Sequence, residues 1–170
     1  MAYKTRTYIA ADWTGDKDAV DQLYKWNESD HWSLSFTDAH DLTQANDSSV
    51  NCSIKASLKK RMDASKTFVL IVGNQTDHLT AGGCQYCNSY NSRSHYCAKG
   101  HNVDYRSYIK YECDQAVSAG IKIVVLYNST TVRRSKCPEA VRYEGTHVAM
   151  IYKENGEYYW DYYAVKEALE

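Results

Sequence analysis

Thr67-Phe-Val-Leu-Ile-Val-Gly73 is an unbroken run of β-branched and apolar residues. It shows no alternation of polar and apolar positions, so it reads as a strand covered on both faces. Ile121-Lys-Ile-Val-Val-Leu-Tyr127 is a second such run, and Thr7-Tyr-Ile-Ala-Ala11 and Trp32-Ser-Leu-Ser-Phe36 are shorter strand candidates. Helical periodicity lies between them. Residues 16–26 set Val20, Leu23 and Tyr24 on one face, with Thr14 or Asp16 as the cap. Residues 48–62 place Ile54, Leu58 and Met62 at i, i+4 and i+8. Residues 104–119 gather Ile109, Cys113, Ala116 and Val117, and Gly120 follows as a helix stop. The alternating order predicts an α/β fold, an open parallel sheet with helices on both faces. The expected strand order is 2-1-3-4-5. The fifth strand comes from 146–152, residues 157–159 pair with it, and a helix over 162–169 closes the chain.

The 170 residues fit one domain, 1–170, on a prior of roughly 100–200 residues per domain. Lys+Arg 20 against Asp+Glu 21 leaves no basic excess, so composition gives no support for binding nucleic acid through its phosphates. No apolar run has the length of a signal peptide or a membrane span. The expectation is a soluble, cytoplasmic protein without a membrane partner. In that compartment the five Asn-x-Ser/Thr sequons carry no glycan, and the six cysteines are reduced or metal-bound.

In an open α/β sheet, ligands bind beyond the carboxyl ends of the strands, where strand order reverses. That rim holds Ala10, Ala11, Asp12 and Trp13 after the first strand, and Gly73 and Asn74 after the third. The loop Thr37-Asp-Ala-His-Asp-Leu-Thr43 and the start of the 104–119 helix share it. A phospho-acceptor receiver needs carboxylates after both the first and third strands, and the third ends in Gly-Asn. There is no Gly-x-Gly-x-x-Gly and no Gly-x-x-x-x-Gly-Lys-Ser/Thr, so dinucleotide-fingerprint and P-loop readings also fail.

Ser107-Tyr-Ile-Lys-Tyr-Glu-Cys113 follows Thr67-Phe-Val-Leu-Ile-Val-Gly-Asn-Gln-Thr76 by some thirty residues. Together with Tyr8-Ile-Ala-Ala11 and Thr37-Asp-Ala39, this order resembles the bacterial TIR-like domains of the Thoeris anti-phage defence type. The resemblance spans about residues 5–128 and implies a TIR-like, flavodoxin-like sheet. It implies an enzyme that consumes NAD as substrate and makes an ADP-ribose-derived second messenger in antiviral defence. The implied partners are NAD, a second copy of the chain, a phage trigger and an effector reached through the product. By motif match Glu112 is the catalytic glutamate. The family's Trp four residues earlier is Tyr108 here, which changes the expected pocket shape.

Chemistry supports Glu112 independently. Breaking the nicotinamide–ribose bond builds an oxocarbenium-like sugar, and the leaving group is already cationic. One carboxylate beside the ribose then suffices as an electrostatic stabiliser. The opposing reading is a solvated helix glutamate paired with Lys110 or Arg106. Asp12 and Trp13 read either as a ribose or phosphate contact and a stacking wall, or as a helix-capping turn and a rim aromatic. Asp38 is a further binding candidate, and His40 reads as a solvated loop residue. Two other functions stay open: a nucleoside deoxyribosyltransferase-like enzyme with a carboxylate nucleophile, and a non-catalytic TIR scaffold acting by self-association. The polar loop 38–47 is the element expected to reach across to a second copy.

Residues 74–103 form a long connection rich in Gly, Asn, Ser, Cys and His, with a Cys/His-rich insert at about 77–103. Cys84, Cys87, Cys97 and His101 have the spacing of a structural zinc set, with His95 as a spare ligand. Reduced thiols in a flexible insert, or a disulfide, are the alternatives. Cys52, Cys113 and Cys137 read as structural. The C-terminal aromatics Tyr158, Tyr159, Trp160, Tyr162 and Tyr163 read as a partner surface or as a cap over the sheet edge.

Overall fold

The computed structural model describes residues 5–39 and 50–170. Along the chain run β1 (Arg6–Ala10), α1 (Lys17–Glu28), β2 (Thr37–Asp38), α2 (Asn51–Asp63) and β3 (Ser65–Val72). The short hairpin β4 (Tyr90–Asn91) and β5 (Tyr96–Cys97) precedes α3 (Tyr108–Ala119) and β6 (Lys122–Tyr127). Then follow β7 (Thr146–Ala149), a second hairpin of β8 (Ile151–Glu154) and β9 (Glu157–Trp160), and α4 (Tyr162–Leu169).

The central sheet has the order β2-β1-β3-β6-β7, and every pairing in it is parallel. This is the expected α/β arrangement and the expected 2-1-3-4-5 order. The two apolar runs are its centre: β3 is buried from Thr67 to Val72 and β6 from Ile123 to Tyr127. Alternate residues feed the two faces. Tyr8, Phe68, Leu70 and Val125 pack with Met62 of α2 and with Ile109, Cys113 and Ala116 of α3. Ile9, Val69, Ile71 and Leu126 pack with Val20, Leu23 and Trp26 of α1 and with Val165 of α4. Helices therefore cover both faces, which is why neither strand alternates in sequence.

The helix that carries the motif is punctuated at both ends. The Ser107 hydroxyl accepts the Lys110 N–H at 3.2 Å, and Gly120 adopts φ 62° to end the helix. It begins at Tyr108 rather than at 104, because residues 104–106 are held otherwise. The Asp104 carboxylate accepts the Arg106 backbone N–H, and Lys55 Nζ donates to the Asp104 and Arg106 carbonyls at 3.2 and 2.7 Å.

Four details of the sequence reading are corrected. Residues 32–36 are not a strand. The Asn27 side chain donates to the Phe36 carbonyl and accepts its N–H, both at 2.9 Å, and Ser35 takes φ 54°. The second strand is instead Thr37–Asp38. Val117 is 40% exposed rather than part of the buried face. The expected strand 146–152 is two strands, β7 and β8, and residues 157–159 pair antiparallel with the second of them, Tyr159 opposite Tyr152. Asp16 is the first-helix cap by position only: its side chain accepts no capping hydrogen bond from α1. Residues 40–47 of the expected bridging loop, His40 and Leu42 among them, lie outside the described residues. Trp160 packs against the α1/α4 core, whereas Tyr158 and Tyr163 are exposed. No helix among the described residues is long and apolar enough to cross a membrane.

Candidate active site

A cleft of about 340 Å³ opens beside the end of β1. The end of β1 gives it Ala11, Asp12 and Trp13; α2 gives Ile54, Leu58 and Arg61; α3 gives Tyr108, Ile109 and Glu112. Leu79 and Ala81, from the start of the long connection, close its remaining side. The walls are largely aliphatic because the Ile54/Leu58 stripe of α2 faces them.

Glu112 is 8% exposed. It does not pair with Arg106, whose guanidinium binds Asp104 at 2.8 Å and Asp114 at 2.8 Å, and Lys110 points to solvent. The solvated reading of Glu112 therefore fails. Burial pushes its carboxyl up to about 8, partly offset by a hydrogen bond with Tyr8 and by the positive charge of Arg61. The same burial, together with Glu112 opposite, raises the Tyr8 phenol well above its ordinary value. A carboxyl so shifted and lining a cleft is a candidate for proton or charge chemistry.

Tyr108 stands one turn before Glu112. Its hydroxyl donates to Asn51 Oδ1 at 3.2 Å, and burial pushes its phenol up to about 12. Its backbone N–H donates to the Ala81 carbonyl at 2.8 Å. Gly82, at φ +100°, makes this approach possible: a Cβ there would sit 2.5 Å from the Tyr108 ring.

The Asp12 carboxylate accepts the N–H groups of Thr14 and Gly15 at 3.2 and 3.0 Å, so it shapes the turn into α1 while also lining the cleft. Trp13 is 43% exposed, with its ring 6.3 Å from that of Tyr24. The cleft thus gathers Ala11, Asp12, Trp13, Tyr108 and Glu112. It does not include Ala10, which is buried inside β1, nor Asp38, whose carboxylate accepts the Tyr24 hydroxyl. The sequence reading missed Tyr8 and Arg61. Arg61 was findable, since it continues the 54/58 stripe at i+7.

A second cleft, of about 310 Å³, shares Asp12 and contains Asp16, Asp18, Asn74 and Asn128. Asp16 is buried, but Asn128 Nδ2 donates to its carboxylate at 2.9 Å and to that of Asp18 at 3.0 Å.

Cys84, Cys87, Cys97 and His101 line one gap of about 10 Å³, and Cys52 joins them from the first turn of α2. Cys52 is not partnerless: its Sγ lies 2.9 Å from His101 Nδ1. His95 instead meets the Tyr90 hydroxyl at 3.0 Å. Among the described residues no group of three or more His, Cys, Asp or Glu side chains stands, as it is, in an arrangement that could hold a metal ion.

Residues 6–81 match the family model described as Thoeris protein ThsB, TIR-like domain. The match covers just under half of the chain, from β1 through β3 to the wall residue Ala81, and stops before Glu112. It bears out the resemblance read from the motifs. No curated protein matches the chain.

Proposed function

Starting from a Thoeris-type TIR-like domain with its role in anti-phage defence, we propose that this chain cleaves the nicotinamide–ribose bond of NAD, with Glu112 as the catalytic carboxylate. The observation that carries the reading is the burial of Glu112 in a mainly aliphatic cleft at the rim where the fold places ligands. In the empty cleft the carboxyl holds its proton at neutral pH. A nicotinamide ring is cationic until its bond to ribose breaks, and its approach favours the ionised form of Glu112. The resulting carboxylate faces the ribose as positive charge moves onto the sugar, in a site shielded from water where such an interaction is strongest.

Asp12 and Trp13 stand where a ribose hydroxyl and a flat ring would be met, and Arg61 adds positive charge to the same cleft. The acceptor for the ADP-ribosyl group decides the product: water gives ADP-ribose, and an atom of the adenine or a ribose gives a cyclic isomer. Either would serve as a soluble signal to an effector in the cytoplasm. NAD is large for a cleft of about 340 Å³, and ligand sites bury most of their ligand. A second copy of the chain completes the pocket in this reading.

The test is nicotinamide release from NAD by the purified chain across a range of protein concentrations, beside Glu112→Gln. Release by the wild type that the variant lacks supports the assignment, and release that rises per subunit with concentration supports the composite pocket. A variant as active as wild type removes Glu112 from the chemistry. A wild type inert at every concentration and with infected-cell lysate favours the scaffold reading. Turnover of deoxynucleosides instead of NAD favours the deoxyribosyltransferase reading.

A further inference from the structure

We propose that Cys52, Cys84, Cys87 and Cys97 bind one zinc ion, with His101 hydrogen-bonded to the Cys52 sulfur rather than to the metal. The first argument is energetic. Between residues 80 and 102 no side chain belongs to either core cluster, yet Cys84 and Cys97 are buried and no disulfide ties them. Fixing a backbone costs about 1–2 kcal/mol per residue, and this stretch has little apolar burial to offset it. A closed thiolate site supplies folding free energy directly.

The second argument is geometric. Cys84 and Cys87 flank a single 3-10 turn, with the Cys87 N–H donating to the Cys84 carbonyl at 2.9 Å. The β4–β5 hairpin returns the chain so that Cys97 pairs with Tyr90, and α2 presents Cys52 from the core. The Cys84 sulfur already receives a backbone N–H, from Asp104 at 3.2 Å. The shared gap of about 10 Å³ is the size of one small sphere.

The choice of fourth ligand follows from one distance. Cys52 Sγ and His101 Nδ1 are 2.9 Å apart, whereas two ligands of one tetrahedral zinc stand about 3.6 Å apart for typical Zn–S and Zn–N bonds. One of the pair ligates and the other hydrogen-bonds to it. His101 is exposed and Cys52 half-buried on the core helix, so Cys52 is the ligand. Binding draws the four thiols, which do not yet stand in a metal-holding arrangement, onto a common centre. Four S–H protons pass to solvent as four Zn–S bonds form. The ion then ties the insert to α2 next to Asn51, which accepts from Tyr108 and donates to the Gly83 carbonyl at 3.0 Å.

The experiment is metal analysis of the full chain purified without chelator, before and after incubation with zinc chloride, with cobalt substitution as the spectroscopic readout. The expected result is one zinc per chain, and cobalt spectra with the thiolate charge-transfer and strong visible bands of a tetrahedral thiolate site. His101→Ala keeps the metal, and Cys52→Ser lowers it to below about a tenth per chain. Because Cys52→Ser can also unfold the insert, the wild-type chain is titrated with a mercurial thiol reagent. Zinc release tracking four reactive thiols supports the site; release complete after three assigns His101 as the ligand and overturns it. Absence of stoichiometric zinc in both preparations overturns it as well.

Discussion

Two buried carboxylates sit on the same rim of the sheet, and their surroundings differ. Asp16 is 4% exposed and Glu112 8%. Asp16 lies in a polar cleft where Asn128 donates to it, so its carboxyl is raised by burial but partly held down by that bond. Glu112 lies against aliphatic walls, and burial dominates to bring it to about 8. The contrast separates a carboxylate held in a polar cleft from one set against aliphatic walls, with the Tyr8 hydroxyl and the Arg61 charge beside it. Burial alone does not nominate a site; burial with few polar partners beside an open cleft makes a residue a candidate.

The largest expected difference between the two is in turnover. Glu112→Gln keeps the shape and removes the charge, and should lower nicotinamide release by about 10²–10³-fold, the range seen when one preorganised electrostatic group is removed. Asp16→Asn should leave turnover within a few-fold, because its oxygen still accepts from Asn128. Equal losses in the two variants would break the comparison.

Stability against pH separates them next. The folded-state value of Glu112 lies above its ordinary 4.5, so the folded chain binds an extra proton between these values. Its contribution is fully present below about 4.5 and is lost as pH rises through about 8. Glu112→Gln should therefore match wild type at pH 4 and exceed it at pH 9 by roughly 2–5 kcal/mol in denaturant unfolding. A pH-independent difference would mean that the carboxyl is not held neutral by the fold.

The polar cleft has its own structural signature. A Cβ on Gly73 would lie 2.0 Å from Asp16 Oδ1, with both residues buried. Gly73→Ala must displace Asp16 from Asn128 and should cost about 2–4 kcal/mol, read as a lower denaturation midpoint. Near-wild-type stability would show that Asp16 moves freely and is not the fixed partner described. The smallest effect belongs to Tyr108, which shapes the active cleft. Tyr108→Phe loses one hydrogen bond to Asn51, worth about 1 kcal/mol, and should change kcat/KM by less than about tenfold. Tyr108→Trp, which installs the residue the motif resemblance implies, should retain activity.

Much of this architecture was legible in the chain. The runs at 67–73 and 121–127 lack alternation because helices cover both their faces, and Gly120 follows the motif helix as its stop. The second strand was misplaced because the Asn27 clamp on Phe36 is a side-chain bond nine residues long in sequence, with no local signature. At the site, Glu112 and Tyr108 were readable from motif order. Tyr8 was hidden because a strand tyrosine looks like any core aromatic. Cys52 was hidden because it approaches the other cysteines only through tertiary packing, and the next of them, Cys84, is 32 residues along the chain.

The central claim is that Glu112 is a buried, proton-holding carboxyl tuned by its cleft, and its own titration tests this most directly. Carbon-13 NMR of glutamate side-chain carboxyls, assigned by comparison with Glu112→Gln, would follow it from pH 4 to pH 10, without and with a non-cleavable NAD analogue that keeps a cationic ring. The expected result is one carboxyl titrating near 8 in the free protein, and at lower pH when the cationic analogue is bound. A Glu112 that titrates near 4.5, or that does not respond to the analogue, would contradict it.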